Sequence, residues 1–446
     1  MVIHADLNGY SGRLFLWADC MKRLFLDHTV GMRFYEKSGR WLQALWGAFC
    51  IVAVLLALCQ LLQISEDLWN HPWSSIAATF ARQAEKMAPY FIAFALPYHL
   101  LPGSRTKCGV WSALSYGLFT ALFTAVTNSD PGLLWPILLG LTTVLCVDRV
   151  GEKQGLLLLS VMTLALGGLL GAAHSYYENA LLWLLRKLGN NNAVAGTMFG
   201  VLNTLLRPLS GAFEQPVYLH SAGGAVWLDG QILTGAKTIF AAKPDRLATA
   251  LFLSGKGLQL FLLPGFALTL ADCGKTRSKA ALALFTVGCV LSGHTELFTL
   301  FLALESPFLL LAFAGLTGGC YLVSVLQGLH WGFLQNGGIV EFLLHNSSGA
   351  LPYLVGVTFC VLAYFVSRYT VVRYGIAEHS CIWLPKDLRP LVQELGGLQN
   401  ILAIENDGVQ VRNSKRVNTL LLEGELKEDR FITDDPQIQT LKEYLP

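Results

Sequence analysis

Apolar residues dominate long runs of this chain, and charged residues fall in narrow bands between them. A helix crossing roughly 30 Å of hydrocarbon needs about 20 apolar residues. Residues 41–62, WLQALWGAFCIVAVLLALCQLL, meet that length with Trp41 and Trp46 near the start, where aromatic belts form. Further apolar runs lie near 88–101, 109–126, 132–147, 155–173, 193–206, 247–271, 280–304, 306–327 and 350–373, several of them short or broken by Pro and Gly. The pattern predicts an α-helical polytopic membrane protein with about 8–10 transmembrane helices plus re-entrant hairpins. The forty residues before the first span carry Lys22, Arg23, Arg33, Lys37 and Arg40, the wrong flank for a cleaved signal, and are expected to form a cytoplasmic arm (1–40) with an interfacial helix.

Charge then draws a second boundary. From Lys386 onward 8 basic and 11 acidic residues fall in 61 positions, far denser than in the body before them. A small cytoplasmic α/β domain over 386–446 is therefore expected behind a membrane domain at 41–376. Its elements are expected as a helix at 388–395, strands near 401–404, 409–412 and 418–422, and a closing helix from Phe431 onward. Basic residues set the orientation: Arg105 with Lys107 and Arg149 with Lys153 mark two short loops, and the loop at 127–132 between them has no base. Both basic loops and both termini are expected in the cytoplasm, and the protein in a bacterial inner membrane.

Composition removes whole classes of function. The chain is 53% apolar and 14% charged, with mean hydropathy +0.49, which excludes an ordinary soluble enzyme. A net charge of +2 gives no basic field for nucleic acid. The ten cysteines form no CxxC pair and read as packing residues in a reduced compartment. There is no P-loop and no HExxH, so no metal or cofactor is called for.

Three segments place polar residues where hydrocarbon is expected, and such groups usually face a cavity or a partner. In 199–218, FGVLNTLLRPLSGAFEQPVY, Asn203, Arg207, Pro208, Gly211, Glu214 and Pro216 interrupt an apolar run. Arg207 with Glu214 reads either as a functional pair or as a structural clamp. In 291–307, LSGHTELFTLFLALESP, His294, Thr295 and Glu296 head an apolar run that later holds Glu305. A carboxylate on broken backbone, with aromatic faces nearby, suits recognition of sugar hydroxyls. In 327–346, QGLHWGFLQNGGIVEFLLHN, His330, Gln335, Asn336, Glu341 and His345 punctuate a Gly-rich stretch that predicts a re-entrant hairpin.

In this order the segments resemble the membrane subunit, domain C, of the bacterial phosphotransferase-system sugar permeases of the glucose, glucoside, maltose and N-acetylglucosamine superfamily. The family's G-F-L-N-R-L-L-I-P-T-G-L-H-H is similar to residues 200–214, GVLNTLLRPLSGAFE, and its G-I-T-E-P-I-E-F to 293–300, GHTELFTL. Between them 255–265, GKGLQLFLLPG, is similar to G-K-[YF] … M-F-G-L-P-G-A, and 337–343, GGIVEFL, to S-A-G-L-I-D-F. The tail segment 391–401, LVQELGGLQNI, is similar to the opening of the family's B domain.

The resemblance implies a scaffold part (about 41–190), often dimer-forming, and a sugar-holding part (about 193–346). It carries over Glu296 with Thr295 as sugar contacts, and His294, Arg207, Phe213 and Glu214 are expected beside them at the sugar. Departures matter as much. Asp407 stands where the B domain has its phosphocysteine, and no cysteine follows Cys381. An aspartate there would form an acyl phosphate of different reactivity from a thiolate adduct, so the tail is expected not to relay phosphate. Phe213 and Glu214 replace the paired histidines, and Leu297 replaces the proline after the glutamate.

Three functions stay open on these residues. One is a permease that borrows a separate B domain and the phosphocarrier proteins in trans. Another is a homodimeric carrier that binds and translocates a hexose, glucoside, maltose or N-acetylhexosamine unmodified. The last is a non-transporting sugar sensor or regulatory interaction protein derived from such a permease.

Overall fold

The computed structural model describes residues 29–69, 71–101, 105–127, 131–188, 192–209, 225–228, 231–242, 250–273, 278–346, 348–373, 388–395, 401–405 and 408–411, with shorter pieces to 441. Two compact units divide the chain. One comprises Leu42–Asp272 with Arg277–Tyr369, and the other contains the C-terminal residues from Thr370.

The larger unit is helical, and the protein is an α-helical polytopic membrane protein. The first described helix, α1 (Thr29–Leu68), contains the first span, and the rest of the expected arm, residues 1–28, lies outside the described residues. There follow α2 (Pro72–Leu100), α3 (Arg105–Thr127), α4 (Leu134–Val150), α5 (Glu152–Leu188) and α6 (Asn192–Leu206). A hairpin of β1 (Ala225–Leu228) and β2 (Gln231–Thr234) leads to α7 (Ala236–Ala242). Next come α8 (Gly255–Leu260), α9 (Leu262–Cys273), α10 (Lys279–Ser292), α11 (Thr295–Glu305), α12 (Pro307–Leu326), α13 (Ile339–Leu344) and α14 (Leu351–Arg373).

Six described stretches are long and apolar enough to cross a membrane: 41–66, 105–127, 154–171, 251–272, 307–326 and 351–371. Two further apolar helices, α6 and α10, are shorter. Among the described residues the apolar runs thus resolve into six helices of spanning length and a set of shorter ones. The run near 88–101 is the second half of the amphipathic α2, and that near 280–304 divides into α10 and α11.

The break between α10 and α11 follows from glycine. Gly293 takes φ +74° and ends α10 in the left-handed region, which disfavours a side chain. A Cβ there would stand 2.5 Å from the Gly337 carbonyl carbon, and one at Gly338 would run into the Leu291 carbonyl. Glycines on both segments therefore let the helix break and the 327–346 stretch touch backbone to backbone. At the other end Ser306 stops α11 and caps α12, its Oγ accepting from the Phe308 N–H at 3.2 Å, with Pro307 at the first helical position.

The 327–346 stretch folds back on itself through an antiparallel bridge between Trp331 and Asn346. It is held inside protein. The Ser254 hydroxyl donates to the Leu329 and Trp331 carbonyls (2.8 and 2.7 Å), and the Trp331 indole sits fully buried against Phe342 and Tyr353. Irregular backbone at membrane depth is tolerable only when its polar groups are satisfied in this way.

In the C-terminal unit, α15 (Leu388–Glu394) is followed by β3 (Ile401–Glu405), β4 (Gly408–Val411), β5 (Glu425–Lys427) and β6 (Arg430–Ile432). The four strands form an antiparallel sheet in the order β3-β4-β6-β5. Leu388, Leu391, Val392 and Leu395 recur at helical spacing and meet Val409, Val411 and Phe431 in one core. Phe431 therefore lies in a strand, not at the head of the expected closing helix; helical geometry appears later, at Ile438 and Leu441. The expected strand at 418–422 lies outside the described residues.

Candidate functional site

A cavity of about 700 Å³ opens in the larger unit, bounded by α2, α3, the segment before α4, the turn after α6, the α10–α11 break and the 327–346 loop. Its polar wall is made by Glu85, Arg207, His294, Glu296 and Asn336. Tyr90 and Tyr116 supply aromatic surface, packed edge to face at 5.1 Å between centroids.

Each polar group is placed by its backbone. Arg207 sits in a turn at the end of α6, tied down because the Leu134 N–H donates to the Pro208 carbonyl at 2.8 Å and the Trp135 indole N–H to the Leu209 carbonyl at 2.6 Å. Glu296 lies in the first turn of α11, where unpaired N–H groups and the helix dipole favour a carboxylate. The two meet: Glu296 Oε2 is 3.1 Å from Arg207 Nη2. That contact is a close charge pair rather than an aligned hydrogen bond, and Glu296 Oε2 accepts no hydrogen bond from the described residues. The Arg207 guanidinium supplies the counter-charge that a buried carboxylate needs.

The second pair is Glu85 with His294, whose Nε2 lies 2.9 Å from Glu85 Oε1. Glu85 also accepts from Gln63 Nε2 at 2.8 Å and from Asn336 Nδ2, which lies 3.3 Å from both carboxylate oxygens. Helices α1 and α2, the α10–α11 break and the 327–346 loop thus converge on one carboxylate.

Of the residues expected at a sugar site, Arg207, His294 and Glu296 line the cavity together. Thr295 is buried beside them in the first turn of α11. Phe213 and Glu214 lie outside the described residues, as does Asp407. Arg207 takes Glu296 as an ionic partner, an acid distant in sequence.

Glu341, marked in sequence as a polar residue of the hairpin, builds the loop. Its fully buried carboxylate accepts from the N–H groups of Leu334 (2.5 Å), Gln335 and Gly337 (2.9 Å), and from Gln60 Nε2 (3.1 Å). His345 is likewise local, its Nδ1 3.0 Å from the Glu341 carbonyl. Glu305 ends α11, half-buried.

Glu85 is the residue that reading the sequence did not single out, and it had a signal. The buried face of α2 runs through Ser74, Ala78, Ala81, Ala88, Ile92 and Ala95, and Glu85 falls at the missing step of that three-and-four spacing. An acid on an inward stripe of small residues marks a polar interior.

No known family profile matches the chain. It is similar to the PTS system maltose-specific EIICB component of Escherichia coli (strain K12), 26% identical over 298 residues, covering 56% of this chain and 56% of that protein. It is also similar to the PTS system glucose-specific EIICBA component of Staphylococcus carnosus (strain TM300), 28% identical over 203 residues, 42% of this chain and 30% of that protein. The chain thus spans about half the length of the first relative and less of the second, and its relatedness is to phosphotransferase-system sugar permease components.

Proposed function

We propose that this chain is a membrane carrier that binds a hexose or glucoside in the Arg207–Glu296 cavity and translocates it without phosphorylating it through its own tail. The observation that carries the reading is the buried Glu296 carboxylate beside Arg207, facing a cavity large enough for a sugar, in a chain related to sugar permease components. Carboxylate and guanidinium together accept from and donate to vicinal hydroxyls, and Tyr90 and Tyr116 offer apolar surface for a ring. The organisation that goes with it is a scaffold part, a sugar-holding part that moves against it around a fixed site, and both termini in the cytoplasm. Pairing of two copies through the scaffold belongs to the same reading.

Asp407 supports the absence of phosphorylation, because the tail offers no cysteine to carry the phosphoryl group. The test uses the full chain in proteoliposomes with labelled glucose, maltose, methyl α-glucoside and N-acetylglucosamine, each supplied separately. One of them is expected to enter and be recovered unmodified, even with phosphoenolpyruvate and the general phosphocarrier proteins enclosed. The same sugar at a hundredfold excess over Kd is expected to stabilise the purified protein by about 2.7 kcal/mol. Recovery of sugar phosphate would return the chain to the phosphorylating class. Binding without entry would favour the sensor.

A further inference from the structure

Both ring nitrogens of His294 face acceptors. Its Nδ1 lies 3.2 Å from the Ser292 carbonyl, which can only accept, so Nδ1 carries hydrogen. Its Nε2 lies 2.9 Å from Glu85 Oε1, and that carboxylate already accepts from Gln63 and Asn336. Two acceptors with no hydrogen between them would repel, so one further proton sits in the Glu85–His294 contact.

The charges facing the pair give the same answer. From α11 and the turn after α6, Glu296 and Arg207 neutralise each other at 3.1 Å. From α2, Lys86 is exposed, and Arg82 is paired with Glu66 of α1 at 2.9 Å. Cys59 on α1 and Cys289 on α10 are thiols near Glu85 and Glu296. Behind the loop, the Glu341 carboxylate accepts from loop N–H groups and Gln60, Lys237 donates to the Gln335 carbonyl at 2.6 Å, and the buried Lys256 stands over Phe333. An imidazolium at His294 is the charge in direct contact with the Glu85 carboxylate, 2.9 Å away, and ionisable groups at membrane depth demand such pairing.

We propose that the Glu85–His294 pair carries one exchangeable proton and that this chain couples the passage of sugar to the passage of that proton across the membrane. The inference rests on the carrier reading and supplies its driving force. A proton from the outer phase binds His294 Nε2 as the pair closes, and the pair opens toward the cytoplasm as sugar leaves. The proton then departs to water, and no bond of the sugar is made or broken. Glu85 lies on α2 and His294 at the α10–α11 break, so relative movement of those elements opens and closes the pair.

The experiment takes the full chain in proteoliposomes with the membrane potential clamped at zero by potassium and valinomycin, and labelled glucose, maltose, methyl α-glucoside and N-acetylglucosamine as separate probes. Counterflow without a gradient tests the carrier reading alone. With the outside one pH unit more acidic, one-to-one coupling sustains up to about a tenfold accumulation, and an enclosed pH dye reports acidification that requires the sugar. Glu85→Gln is expected to bring the accumulation ratio to about one at whatever rate it turns over. Should that variant fail to insert, the wild-type ratio and dye trace decide. Counterflow with a wild-type ratio of one and no sugar-dependent acidification overturns the coupling and leaves the carrier standing; absence of counterflow for every probe overturns both.

Discussion

Replacing Glu341 with alanine is expected to lower the stability of the protein by on the order of 3–5 kcal/mol. The carboxylate is fully buried and is the common acceptor for three loop N–H groups and the Gln60 amide. Removing it leaves buried donors without partners, each costing about 1–3 kcal/mol, and nothing in alanine replaces them. Glu341→Gln keeps one carbonyl acceptor and should fall between the two. Thermal unfolding in detergent measures the difference. A Glu341→Ala protein that melts with the wild type would mean that the 327–346 loop is held by Trp331 and Ser254 instead.

Replacing Glu296 with glutamine is expected to weaken sugar binding by about 1.5–3 kcal/mol, roughly 10- to 150-fold in Kd. The reason is electrostatic: a charged acceptor in a low-dielectric cavity binds a hydroxyl about twice as strongly as a neutral one. The substitution also removes the charge opposite Arg207, 3.1 Å away, so the unliganded protein is expected to lose some stability as well. Titration with sugar followed by calorimetry separates the two, because affinity is read from the concentration dependence and stability from the melt without sugar. An unchanged affinity would take Glu296 out of the contact set.

Much of this arrangement can be read in the chain itself. The span beginning at Trp41 announces itself by length and aromatic flank, and the helix break at Gly293 by a glycine followed by three polar residues at the head of an apolar run. The hairpin at 327–346 is too polar and too glycine-rich to cross, and it does turn back. Partnerships were far less legible. Nothing in the spacing along the chain places Arg207 beside Glu296, yet α6 ends so that its guanidinium meets that carboxylate. Charge complementarity in a fold is decided by which helix ends converge, and spacing along the chain carries little of that.

Glu85 was hidden for a different reason: the apolar run after it draws the eye to residues 88–101, while the helix is amphipathic from Pro72 onward. Glu341 stood out as polar, yet its work as an acceptor for the loop depends on backbone N–H directions that composition does not encode.

The most direct measurement is an experimental structure of the full chain in lipid nanodiscs with saturating maltose, repeated with glucose. The expected result is sugar density in the cavity with hydroxyls within about 3 Å of the Glu296 carboxylate and the Arg207 guanidinium. Sugar bound elsewhere with lipid acyl chains packed against Glu296, or neither sugar bound at any site, would contradict it.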